Sequence, residues 1–400
     1  MRIVQMIDSL SWGGAQKMQL FLAESLVPLG IELTVVSLQD VDDSPVAEML
    51  RETGVRVVAF PFPKLFSLIS FGKVVHFLRE EKFDILHAYL TYSNIIGSLA
   101  GKLSGTPTIA SLRSADFGYE NYSRQRVWME NMSMRFFATR VMANGAAVAQ
   151  FARQRLKDSR PVDIIVNAVD IYPPLARAER EALRAEVCGV SNRPIILSVG
   201  RLTEAKGFHD LVDAFALVHA RAGCESAVLV IAGGGVLMEE LATQVRQLKL
   251  EEQVFLLGQR EDVTQLLEAA DLYVNSSHWE GTPVSVLEAM ACGLAVVATS
   301  VGESPNLLEQ GRAGLLVSPG QPQELAVAVI SLLDSPEKGH EFGQAARKRV
   351  EQYYSRATWT RKLLELYAQL SPKAEQYLTK ANVAVNASPD INRVLQLSED

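Results

Sequence analysis

Two glutamates, Glu280 and Glu288, bracket the start of a helix in DLYVNSSHWEGTPVSVLEAMACGLAVVATS, residues 271–300. The apolar runs Leu272 to Val274 and Leu294 to Ala298 read as buried parallel strands. Between them, Thr282 reads as an N-cap, Pro283 as the first helical residue, Val284 to Ala291 as the helix and Gly293 as its stop. The free amides of Val284 and Ser285, at the positive end of the helix dipole, suit an anion above the strand tip. Glu280 in the loop and Glu288 about one and a half turns inside can each take hydroxyls on either side of that anion. A ligand with phosphate in the middle and hydroxyls at both ends fits, and a sugar nucleotide is such a ligand. An isolated pair of this kind is as readily a cap and a solvated helix face.

Two cations form a second constellation. Arg201 and Lys206 lie in GRLTEAKG, residues 200–207, where the strand Pro194 to Val199 becomes loop and helix. They can converge on one anion and neutralise a departing diphosphate without a bound metal. The alternative is an ordinary pair of surface cations. Glycine turns follow two strands: Gly13 and Gly14 after Arg2 to Ile7, and Gly233, Gly234 and Gly235 after Ala227 to Ala232. Such turns let backbone amides approach phosphate, although many α/β folds open this way.

The text from Glu280, E-G-T-P-x-x-x-L-E-A-M-A-C-G-x-A-V-V-A-T, resembles the E-x7-E signature of retaining family 4 glycosyltransferases, members of the GT-B superfamily. The similarity continues through VGESPNLLEQGRAGLLVSPGQPQELA, and G-R-L-x-x-x-K-G at 200–207 is typical of the same family. PVDIIVNAVDIY, from Pro161 to Tyr172, resembles the N-G-V-D segment at which the family passes between domains, with Ala168 in place of the usual glycine. The resemblance implies that Glu280 contacts the transferred sugar and Glu288 the nucleotide ribose. It places Gly13, Gly14, Arg201 and Lys206 against the donor diphosphate. Gly234, Gly281, Thr282, Pro283 and Val284 complete the donor site, with Arg260 and Val263 in the loop that holds the nucleobase.

Composition sets limits of its own. A length of 400 residues suggests two or three domains, and 48% apolar with 21% charged residues is ordinary for a globular chain. A net charge of −7 argues against a general nucleic-acid binder. Residues 1–170 hold 18 Lys/Arg and 17 Asp/Glu, against 21 and 29 in the rest, so the first half is relatively basic. Cys188, Cys224 and Cys292 lack metal or redox spacing and fit a reducing cytosol. The N-terminus reads as a strand rather than a signal peptide, and no run of 18 apolar residues occurs, so any membrane contact is expected to be peripheral.

In the first half, His87 ends the strand Asp84 to His87, where α/β sheets put ligand contacts, although a lone histidine is more often structural. Family members carry a histidine near the end of the strand corresponding to Thr108–Leu112. This sequence has Arg113 there, with Asp116 nearby, so His87, Arg113 and Asp116 are the acceptor-side candidates. Trp128, Met132 and Phe136 recur at helical spacing within Tyr119 to Arg140, among Arg124, Arg126, Arg135 and Arg140. That stripe faces either the core or an anionic bilayer. Asp40-Val41-Asp42 spells a metal-binding tripeptide but reads as a solvated acidic loop.

The expectation is an α/β chain of GT-B architecture, two Rossmann-like domains facing each other, with a terminal helix crossing back to the first. Residues 1–168 form the acceptor domain with the helix 355–372, residues 169–354 the donor domain, and 373–400 a loosely attached tail. The implied reaction moves a sugar, with retained configuration, from a nucleoside-diphosphate sugar (UDP foremost) to a hydroxyl of a glycan or lipid-linked acceptor. Neither metal nor cofactor is expected. The implied location is cytoplasmic, peripheral to the inner face of the plasma membrane. Rival readings are a non-catalytic nucleotide-sugar-binding protein, a sugar-nucleotide epimerase, and a nicotinamide oxidoreductase, the last lacking a G-x-G-x-x-G after the first strand.

Overall fold

The computed structural model describes residues 1–11, 14–42, 44–63, 67–113, 123–157, 159–189 and 193–387, and side chains as far as residue 381. The chain divides into two compact units, Met1–Asn167 with Arg356–Asp400, and Ala168–Ser355.

The first unit is built on strands β1 (Arg2–Ile7), β2 (Glu32–Ser37), β3 (Arg56–Ala59), β4 (Ile85–Tyr89), β5 (Thr108–Leu112), β6 (Arg140–Ala143) and β7 (Val162–Ile164). Their order is β3-β2-β1-β4-β5-β6-β7 and every pairing is parallel. The order reverses between β1 and β4, the kind of point where such sheets bind ligands beyond the strand ends. β4 and β5 are buried throughout, because helices cover both faces of the sheet. Val4, Met6, Val36 and Leu86 meet Val74, Leu78 and Ile96 on one side. Ala110, Val141 and Met134 pack with Val148 and Ala152 in a separate cluster.

The second unit repeats the plan with β8 (Ile195–Val199), β9 (Val228–Ala232), β10 (Val254–Gly258), β11 (Leu272–Asn275), β12 (Ala295–Thr299) and β13 (Leu315–Val317). The order is β10-β9-β8-β11-β12-β13, again wholly parallel. One apolar cluster of its core reaches from Leu211 and Phe215 through Leu229, Ile231, Val274 and Val297 to Leu325 and Val329.

Helix ends shift where single residues dictate. The first helix is α-helical from Gly14 to Leu26 and then tightens to a 3-10 turn, Val27–Leu29, at Pro28, which has no N–H to give. The helix Arg356–Ala368 belongs to the first unit. It buries Trp359 edge-on against Phe21 at 5.3 Å, and the Arg356 guanidinium lies 4.1 Å from the same ring. The stretch after 372 is not a loose tail as far as it is described. A helix runs from Glu375 to Ala387, and Ala374, Tyr377 and Ala381 are buried at helical spacing. The Met1 ammonium donates to Tyr377 Oη at 2.9 Å.

The arginine-flanked helix spans Arg124–Phe136, with Ser123 as N-cap. Its buried positions are Glu130, Ser133 and Met134, while Trp128 and Phe136 are 62% and 56% exposed. The aromatic stripe therefore does not face the core. Glu130 takes the inward position because Arg155 and Asn94 meet it there, at 2.8 and 3.0 Å. Asp40 and Asp42 are exposed around a buried Val41, as a solvated loop would have them.

Candidate active site

In the second unit, two loops are fastened to each other at the strand ends. After β8 the chain makes a 3-10 turn, Glu204–Lys206, closed by Gly207 at φ 59°. A Cβ at Gly207 would stand 2.2 Å from the carbonyl oxygen of Ser276, so only glycine permits this approach. Ser276 Oγ donates to the Lys206 carbonyl at 2.9 Å, and the His278 amide to the Ala205 carbonyl at 2.9 Å. These contacts deliver the Lys206 ammonium to Glu280 Oε1, and Ser277 Oγ donates to the same oxygen at 2.8 Å. The two side chains are 22% and 10% exposed, so the pair is largely withdrawn from water yet reachable. Ser277, which spacing alone did not single out, thus fixes the Glu280 carboxylate; its signal was its place three residues before Glu280 in the strand-exit loop.

The helix that follows is Val284–Ala291. Pro283, extended at φ −72° and ψ 100°, is its N-cap; Thr282 is buried one residue earlier and is not the cap. Gly281 is pinned from the other side: its carbonyl accepts the Glu303 amide at 2.9 Å. A Cβ on Gly302, at φ 55°, would stand 2.6 Å from the carbonyl oxygens of both Glu280 and Gly281. Glu288 is half-buried inside the helix. Burial raises the phenol pKa of Tyr273, and the charges of Glu288 and Glu280 push it further.

The glycine turn works through its flanks. A Cβ on Gly233 would meet the Gly200 carbonyl oxygen at 1.8 Å, and one on Gly235 the Leu202 carbonyl oxygen at 2.4 Å. Gly234 has room for a side chain and holds the Leu202 amide through its carbonyl at 3.0 Å. Arg201 itself is exposed and forms no ion pair among the described residues. Arg260 is engaged, gripping Asp262 at 2.8 and 2.7 Å and Glu186 at 3.3 Å, which raises its pKa. Val263 opens the helix Val263–Ala269 directly after this pair.

In the first unit, His87 departs from expectation. It is fully buried, with Nδ1 2.9 Å from Tyr367 Oη and Nε2 2.7 Å from Ser111 Oγ. Burial pushes its pKa down to about 3, so it is a neutral structural residue with no nitrogen to offer an acceptor. Arg113 leaves the end of β5 and donates from Nη2 to Asn167 Oδ1 at 2.5 Å, with its guanidinium 5.1 Å from the Tyr89 ring centre. Asp116 and Gly13 lie outside the described residues. Gly14 is the first helical residue, exposed, with nothing near a notional Cβ.

One side-chain grouping has ligand types for a metal, Glu204, His209 and Glu240, with two of the three exposed. His209 Nδ1 is already 2.7 Å from Gln244 Oε1. No step of transfer is drawn through this grouping.

Two doubly wound parallel sheets, the second carrying a Lys–Glu pair before a helix start, make up a GT-B architecture. The chain belongs to the family 4 glycosyltransferases. The family model described as Glycosyltransferase Family 4 matches residues 12–172, and that described as Glycosyl transferases group 1 matches residues 179–349. Alpha-maltose-1-phosphate synthase of Mycolicibacterium smegmatis is 29% identical over 328 residues, covering 73% of this chain and 81% of that protein. The UDP-Gal:alpha-D-GlcNAc-diphosphoundecaprenol alpha-1,3-galactosyltransferase of Escherichia coli is 25% identical over 275 residues, covering 67% and 70%. Among solved structures, Anabaena Alr3699/HepE in complex with UDP-glucose is 25% identical, with a TM-score of 0.80 over 92% of this chain and 100% of that one.

Proposed function

We propose that this protein transfers a sugar, with retained anomeric configuration and without a divalent metal, from a UDP-sugar to a hydroxyl of a glycan or lipid-linked acceptor. The observation that carries the reading is the Lys206–Glu280–Ser277 cluster directly before the helix Val284–Ala291. The donor diphosphate would rest on the amides of Val284 and Ser285, with Arg201 and Lys206 as its counter-charges. Lys206 turning to phosphate would free Glu280 for sugar hydroxyls, while Glu288 meets the ribose. Gly234, Gly281, Thr282, Pro283, Arg260 and Val263 would line the donor.

Among the described residues no carboxylate stands out as a nucleophile beneath the anomeric carbon, since Glu280 is given to sugar hydroxyls. Transfer would therefore run on one face. The bond from the anomeric carbon to the diphosphate oxygen breaks, the acceptor oxygen bonds from the same side, and its proton passes to the departing diphosphate. The UDP preference is supported by HepE, solved with UDP-glucose. For the acceptor, one named relative acts on a diphosphoundecaprenol-linked sugar, and another is named for making alpha-maltose 1-phosphate.

The test is NMR of the glycoside formed from UDP-glucose and a soluble acceptor in excess chelator. A retained linkage is expected, with UDP released only when acceptor is present. Loss of turnover in chelator, an inverted linkage, or a glycosylated Glu280 peptide in mass spectra would each overturn the mechanism.

A peripheral site on the inner face of the plasma membrane is proposed with it. Support comes from the exposed Trp128 and Phe136 on a helix bearing Arg124 and Arg135, and from Leu68 and Ile69, exposed at the start of the helix Leu68–Glu81. No helix among the described residues is long and apolar enough to cross a membrane.

A further inference from the structure

Arg113 carries a half-buried charge with no counter-charge among the described residues. Its Nη2 is bound to a neutral amide oxygen, Asn167 Oδ1, and its guanidinium lies against the Tyr89 ring. Its Nη1 is closed off from water and has no hydrogen-bond partner, and no carboxylate pairs with Arg113 among the described residues. An ionised group buried in this way is strongly unfavourable unless an opposite charge completes it. The cost registers on the residue itself: burial lowers the Arg113 pKa, and its charge adds to the depression of His87.

The placement is that of a ligand contact. Tyr89, Arg113 and Asn144 stand at the C-terminal ends of β4, β5 and β6, the edge where doubly wound sheets bind ligands. Asn144 Nδ2 donates to the Arg113 carbonyl at 3.1 Å and so fixes the backbone from which the guanidinium projects. A guanidinium with Nη2 anchored and Nη1 unused keeps charged donors for a carboxylate or phosphate oxygen.

We propose that Arg113 is the receptor for an oxyanion, a carboxylate or a phosphate, carried by the molecule that the first unit binds. The site as such does not depend on the transferase reading; the statement that the acceptor is anionic rests on it. The oxyanion has two sources, a phosphate attached to the acceptor or the carboxylate of a uronic sugar.

The experiment uses the full chain in an Arg201→Met/Lys206→Met background, which removes the donor-side cations, and follows thermal stability. Glucose 1-phosphate and glucuronate are titrated separately, against chloride at matched ionic strength. A saturable rise with glucose 1-phosphate supports a phosphate source, and a rise with glucuronate a carboxylate source. Adding Arg113→Met should weaken the apparent affinity about 10- to 100-fold, the weight of one charge-assisted hydrogen bond, while Arg113→Lys should retain a weaker response. No saturable rise with either probe in the parent overturns the proposal, and so does an undiminished rise in Arg113→Met. Because no sugar transfer is measured, failure here is distinguishable from failure of the transferase assay.

Discussion

In the unit Ala168–Ser355, the charged groups of the site lie at or near the surface, and backbone contacts made possible by Gly207, Gly233 and Gly302 hold them in place. The other unit fixes its strand ends with polar side chains sealed inside. There Glu130 and Arg155 pair at 2.8 Å with almost no exposure. Asn94 bridges Glu130 to the Ser111 carbonyl and accepts the Ser111 amide. Ser111 in turn meets His87, and His87 meets Tyr367. The contrast follows from charge and solvent. Ions that must exchange partners with a ligand have to stay reachable, whereas buried polar groups are stable only when each is satisfied and therefore lock their neighbours.

The sharpest way to break this contrast is a pair of substitutions. Glu130→Ala leaves the Arg155 charge buried and should cost about 3–5 kcal/mol of stability, read from urea unfolding. Lys206→Ala should cost less, about 1.5–3 kcal/mol, since the pair is still reachable by water and Ser277 keeps its bond to Glu280, yet slow transfer about 100- to 1000-fold, as loss of a transition-state charge contact does. Comparable stability losses in the two variants would erase the distinction between the units.

A pH measurement sharpens the buried side. Asp8, at the C-terminal end of β1, accepts the amides of Tyr92 and Ser93 at 3.1 and 2.7 Å, and burial pushes its pKa up to about 6. Between its ordinary value near 4 and about 6, the folded chain binds this proton more tightly than the unfolded chain does. Stability from Asp8 therefore falls as pH rises through that window and is level above it, by about 3 kcal/mol in all. Asp8→Asn should remove that slope in urea midpoints taken from pH 4 to 7; an unchanged slope would mean that Asp8 ionises freely in the fold.

The smallest effect on stability belongs to the exposed aromatics. Trp128→Ser with Phe136→Ser should change unfolding by about 0.5 kcal/mol or less, since neither side chain supports the core. The same variant should lose co-sedimentation with anionic vesicles at low salt. Full binding by the variant would remove this helix from the membrane proposal.

Much of the fold was legible locally. Strands buried on both faces must be apolar runs, so β1, β4, β8, β9 and β12 announced themselves, and Val284 to Ala291 reads as a helix from propensity and flanking residues alone. The Arg201, Lys206 and Glu280 types also followed from text, since the chemistry of a diphosphate and a sugar limits the choices. Other outcomes needed partners far away in the chain. Whether His87 faces a ligand or the core depends on Tyr367, 280 residues later. Whether the Trp128 stripe points in or out depends on Arg155 claiming Glu130 for the interior.

The sequence by itself determined two α/β halves, the strand-to-helix turns with their glycines, and a donor-type constellation in the second half. These rest on periodicity, backbone conformation and short spacings, which act within a few residues. Only the tertiary structure decided that Lys206 meets Glu280 across 74 residues, that the helix after residue 374 packs under Met1, and that Arg113 Nη1 is closed off from water with no partner among the described residues. Those are matters of which surfaces close over which groups, and burial changes the energy of a charge far more than any local propensity does.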